Sequence, residues 1–151
     1  MNITTKLKMK NILMLTVLFL FTNLLRAQNI TFKQIESFKK LSISAIQLSL
    51  KKNNYEYHTT INGGTQWNAK DGSGKIGANG KGLVLFMTYN YSLQKKIIDE
   101  IKKALYKNTG TTIENNLRVV SYEKERTIVL LSTKTNPDNG KLLYSTTIIY
   151  K

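Results

Sequence analysis

Three short patterns in this chain have residue types that chemistry requires. Gly72-Ser73-Gly74-Lys75-Ile76-Gly77 reads G-x-G-x-x-G, the spacing with which glycines end a strand, open a helix and let backbone amides approach a pyrophosphate. Here Ala78-Asn79-Gly80-Lys81-Gly82 and a strand pattern follow in place of a helix, so the stretch reads as a hairpin tip. Ser92-Leu93-Gln94-Lys95 has the S-x-x-K spacing that sets a serine and a lysine one helical turn apart for acyl transfer. The same spacing recurs at Ser37/Lys40, Ser49/Lys52 and Ser121/Lys124, as a lysine-rich composition generates freely, and Ser92 reads as a helix cap. His58 is the only histidine, and in its strand it shares a face with Glu56 and Thr60. A carboxylate brought beside it by folding would make it the general base of a small hydrolase, the alternative to a non-catalytic reading.

The aromatic residues make a different case. Tyr55, Tyr57, Trp67, Tyr89 and Tyr91 gather at the ends of the first strands, around a glycine-rich stretch. Packing on a pleated sheet accounts for such residues. Their functional use is a binding surface, since tyrosine and tryptophan present a large apolar body with a polar tip. No catalytic set, metal site or cofactor site is assigned. With no cysteine and one histidine the usual zinc ligand sets are missing, and Asp71 with Ser73 lacks the further acids of a calcium loop.

The elements that would position these residues follow from periodicity. Phe32, Ile35, Phe38 and Leu41, then Ile43, Ile46 and Leu50, have helical spacing, with Ser42 able to cap a second start. Tyr55–Ile61 alternates as a strand, and a short strand is expected at 65–69. Seven of the nine glycines fall within 62–82, the loosest part of the chain. Residues 83–91 are apolar on both faces, as a central strand is. Leu93, Ile97, Ile98, Ile101, Ala104 and Leu105 form the stripe of a second helical unit, with Lys95, Lys96, Lys102, Lys103 and Lys107 facing water and Asn108-Thr109-Gly110 as its stop. Strands are expected at 112–122, 127–135 and 142–150, the last two joined through Asn136-Pro137-Asp138-Asn139-Gly140. The order α-β-(β)-β-α-β-β-β predicts an α+β domain: one antiparallel sheet with two helices packed on one face.

The amino terminus predicts a compartment. Lys6, Lys8 and Lys10 precede an apolar run at 12–25 that Arg26 closes. At 14 residues the run suits the core of a signal peptide, about 7–15 long, better than a membrane span of about 20. Residues 1–27 therefore read as a cleavable signal peptide and 28–151 as a single domain, periplasmic or secreted; an uncleaved anchor is the alternative. The whole chain has 23 basic and 9 acidic residues. Without Lys6, Lys8, Lys10 and Arg26 the balance is 19 against 9, a net charge of +10, and 17 of the 19 are lysine. Lysine is a hydrated point charge suited to solubility and loose attraction to polyanions, while reading nucleic acid favours arginine. Nucleic acid is accordingly not expected as a partner. An envelope protein or a glycan is, with a lysine-rich polyanion-binding role as a further alternative.

The run Phe38-Lys39-Lys40-Leu41-Ser42, the step from Lys51-Lys52-Asn53-Asn54 into Tyr55-Glu56-Tyr57, and the ending Tyr144-Ser145-Thr146-Thr147-Ile148-Ile149-Tyr150-Lys151 resemble small exported proteins of the Bacteroidetes with no assigned function. That resemblance implies a fold and a compartment and carries no catalytic residues. The expectation is a non-catalytic binding or interaction module of the cell envelope or secreted fraction.

Overall fold

A computed structural model describes residues 30–61, 63–114 and 117–151; the expected signal peptide lies outside the described residues. Helix α1 (Phe32–Ser37) opens on a reciprocal cap. The Gln34 amide donates to Thr31 Oγ1 at 3.2 Å while the Thr31 amide donates to Gln34 Oε1 at 3.0 Å. A 3-10 turn (Phe38–Lys40) follows, and Ser42 then caps α2 (Ile43–Lys52) as its position predicts. The amino-terminal helical stretch is thus broken, and its buried residues Phe32, Ile35, Phe38, Ile46 and Leu50 turn toward the sheet.

Eight strands follow in two runs of four. β1 (Tyr55–Ile61), β2 (Gly64–Ala69), β3 (Lys75–Ala78) and β4 (Leu83–Thr88) precede α3 (Tyr91–Lys103). β5 (Lys107–Glu114), β6 (Leu117–Lys124), β7 (Thr127–Thr135) and β8 (Leu142–Tyr150) come after it. All pair antiparallel in one sheet, in the order β1-β2-β3-β4-β8-β7-β6-β5. Each half is a helical segment followed by a four-stranded meander, and the halves meet where β4 pairs β8. The α+β class and the single antiparallel sheet expected from the sequence are therefore observed, with β4 central.

Four details differ from the sequence expectation, each for a local reason. Lys75–Ala78, read as part of a loop, is strand β3, because Ile76 and Ala78 alternate into the core. Residues 112–122 are not one strand: β5 ends at Glu114 and β6 begins at Leu117. Asn90, not Ser92, caps α3, its side chain accepting from the Leu93 amide at 3.1 Å. The helix also stops before Asn108. Leu105 takes a left-handed φ of 63° and the Tyr106 amide reaches back to the Ile101 carbonyl, so Leu105 points into solvent at 77 % exposure instead of extending the stripe.

One sheet face is packed by helices. Trp67, Ile76, Val84, Phe86, Val129, Leu131 and Ile148 meet Ile97 and Ile101 of α3 and the amino-terminal helices in one core. The Phe32 amide donates to Oε2 of Glu100 at 2.6 Å, which places an α3 carboxylate at the start of α1. Helix contacts fall mainly on β1, β4 and β8. Strands β5 to β7 are covered more thinly. No helix among the described residues is long and apolar enough to cross a membrane.

Candidate functional site

The residues singled out in the sequence are not brought together. Tyr55 and Trp67 are core residues, and neither Tyr55 Oη nor Trp67 Nε1 has a hydrogen-bond partner among the described residues. Burial, with the Asp71 charge added, pushes the Tyr55 hydroxyl above its ordinary pKa. Tyr57 is exposed on edge strand β1, its hydroxyl within 3.3 Å of Thr60 Oγ1. Tyr89 is exposed and accepts from Asn136 Nδ2 at 2.8 Å.

The tyrosine–threonine contact on β1 has a structural cause. The register between β1 and β2 shifts between Tyr57 and Thr59, so His58 is the extra residue of a bulge. The bulge reverses the alternation, and Thr60 shares a face with Tyr57, contrary to the strict alternation that grouped His58 with Thr60. His58 is exposed and no carboxylate is hydrogen-bonded to it among the described residues. Nor do the described residues contain a group of three or more His, Cys, Asp or Glu that could hold a metal.

The glycine pattern is structural in its first two members. Gly72 has φ 73°, and the Asp71 carboxylate accepts from the Ser73 amide at 2.9 Å to close the turn. A Cβ on Gly74 would lie 2.9 Å from the Met87 carbonyl oxygen and from the Phe86 ring. The turn leads into β3 and not into a helix.

Tyr91 is the one nominated residue beside a hollow with further aromatic side chains. This hollow, of about 320 Å³, opens where α3 lies over the thinly covered strands. Register builds it in two rows. Arg118, Thr133 and Tyr144 stand side by side on β6, β7 and β8, and Val120, Leu131 and Thr146 form the next row inward. The Tyr91 ring rests against Tyr144 with centroids 5.8 Å apart and planes tilted by 49°. From above comes Gln94, only 3 % exposed. Its Oε1 accepts from buried Thr146 Oγ1 at 3.4 Å, and the side chain lines the hollow. Among the described residues of the lining Arg118 is the one charged group, with no carboxylate and no histidine.

Sequence reasoning missed Gln94, Arg118 and Tyr144. For Gln94 a signal existed: it lies three residues before Ile97 and four before Ile98, so an amide sits within an apolar stripe. Arg118 and Tyr144 become neighbours of Tyr91 only through the pairing of β6, β7 and β8.

A second hollow, of about 280 Å³, lies around Gln66, Gly77, Leu83 and Leu85. Apart from Leu85 Cβ at 3.9 Å, a Cβ on Gly77 would meet nothing. On another side of the molecule Lys39 Nζ, Lys40 Nζ and the Arg126 guanidinium stand 5.6, 5.4 and 5.2 Å from the centroid of the Tyr150 ring. No family model matches the chain, and no curated protein and no solved structure matches it either.

Proposed function

We propose that the chain is an exported, non-catalytic binding module of the cell envelope or secreted fraction, and that the hollow beneath α3 is where it binds. One observation carries this reading. The hollow offers hydrogen-bonding groups, aromatic edges and an apolar floor, while among its described lining residues there is no carboxylate, histidine or cysteine to move a proton or attack a bond near neutral pH. Gln94, held in place by Thr146, adds an amide to those hydrogen-bonding groups. Export is the role suggested by residues 1–27.

Screening the purified protein against soluble glycans and short peptides, with NMR chemical shifts as the readout, tests the reading. Binding should perturb the Gln94 side-chain amide and the Tyr91 and Tyr144 rings, and the compound should be recovered unchanged. Turnover of a bound compound, or saturable binding that leaves those resonances still, would overturn it.

Lys40 and Arg126, the exposed cations beside Tyr150, favour a second reading, loose attraction to polyanions. Binding of that kind should collapse between low and physiological salt; affinity indifferent to salt would refute it.

A further inference from the structure

We infer that the hollow beneath α3 takes a carboxylate-bearing sugar, one or two rings long, as its ligand. This rests on the reading of the hollow as a binding site and goes on to name what fits it. The outer row sets the shape. Arg118 and Tyr144 are two strands apart, roughly 10 Å between backbones, and only the small side chain of Thr133 stands between them. The row is therefore a trough with a guanidinium on one wall and an aromatic ring on the other. Tyr91 extends the aromatic wall by packing on Tyr144.

The chemistry follows from what lines that trough. Among the described residues of the lining, a lone arginine with no carboxylate leaves a positive site for a single negative charge. Its planar fork matches a carboxylate with two parallel hydrogen bonds. A dianionic phosphate would call for a second cation, and none lines the hollow among the described residues. Around the fork the groups differ in kind: Val120, Leu131 and Ile98 are apolar, Gln94 and Asn108 offer amides, and Thr133 beside the arginine offers a hydroxyl. An aromatic acid would use the apolar floor and leave those polar groups unmatched. A sugar ring uses both, with C–H faces against tyrosine and hydroxyls toward the amides. The volume, about 320 Å³, is at the small end of ligand sites, which limits the occupant to a short saccharide.

Calorimetry with digalacturonate, its neutral parent galactobiose and benzoate tests the assignment on the purified protein. Digalacturonate should bind at least tenfold more tightly than galactobiose. Arg118 is exposed and its replacement leaves the core intact, so Arg118→Gln should erase that preference while circular dichroism and melting stay unchanged. Arg118→Lys, which keeps the charge and loses the fork, should retain only part of it. Equal binding of the neutral sugar, or a preference that survives Arg118→Gln, would overturn the carboxylate assignment while leaving the binding-module reading in place. Benzoate binding in place of both saccharides would overturn the sugar assignment. Failure of all three probes would overturn the inference outright, and the wider NMR screen would then decide the function on its own.

Discussion

The Tyr106 hydroxyl donates a 2.7 Å hydrogen bond to Oε1 of Glu36, the oxygen that also takes the Lys39 ammonium at 2.8 Å. The contact ties the segment after α3 to the end of α1, across 70 residues of chain. Lys39 then donates to Thr127 Oγ1 at 2.7 Å, so the same link reaches β7. Burial alone would raise the Glu36 carboxyl, but the hydrogen bonds from Lys39 and Tyr106 outweigh it and hold the group below the ordinary glutamate range. The Tyr106 hydroxyl is pushed the other way, by burial and by the carboxylate it serves.

Glu36 should therefore give stability a definite pH dependence. A carboxyl whose folded pKa is depressed contributes fully above its unfolded value and loses that contribution as pH falls through the folded one. Glu36→Gln should cost about 1 kcal/mol at pH 7, and the gap to the parent should close below the ordinary glutamate range. Urea denaturation from pH 7 to pH 3 measures it; a gap constant across that range would contradict the assignment.

The second and third glycines of the G-x-G-x-x-G stretch should respond oppositely to one added methyl group. Gly74→Ala drives a Cβ against backbone and an aromatic ring, at a cost of about 1–3 kcal/mol. Gly77→Ala meets open space at an ordinary φ and should be neutral or stabilising by up to about 1 kcal/mol through the unfolded chain. Denaturation midpoints of the two variants check this, and equal effects would show that the close approach at Gly74 is misplaced.

Leu105 occupies a left-handed position with its side chain in water. Leu105→Gly should stabilise the protein by about 0.5–1 kcal/mol, because glycine adopts that conformation without the Cβ clash. A lower melting temperature would mean that the leucine makes a contact that outweighs the strain.

Tyr55→Phe should also stabilise, by about 1 kcal/mol, since it removes a buried hydroxyl that has no partner among the described residues. Loss of stability would show that the hydroxyl is satisfied.

The fold was legible in the sequence wherever one physical signal dominated. The strand at 83–88 is apolar on both faces and proved central; α3 announced itself by a stripe of isoleucines against lysines. The signal failed where one residue changes a count. His58 bulges β1 and reverses its faces, yet nothing in Tyr-Glu-Tyr-His-Thr-Thr-Ile marks the extra residue. Residues 112–122 alternate so weakly that parts of two paired strands, β5 and β6, read as one. The site was harder still. Tyr91 could be nominated as an aromatic near a helix start, but Arg118 and Tyr144 join it only through register, which local patterns do not encode. Trp67 and Tyr55 show the converse, since side chains suited to binding serve just as well as core.

The seam between β4 and β8 makes one strand the junction of the two halves. β8 supplies a neighbour to β4 on one side and to β7 on the other, so without it the sheet falls into two separate meanders. Each meander needs only local hairpin contacts, whereas the seam brings together residues far apart in the chain, such as Phe86 and Thr146. Loop closure has to be met before such a pairing stabilises anything, which makes the seam the slow step in closing the sheet.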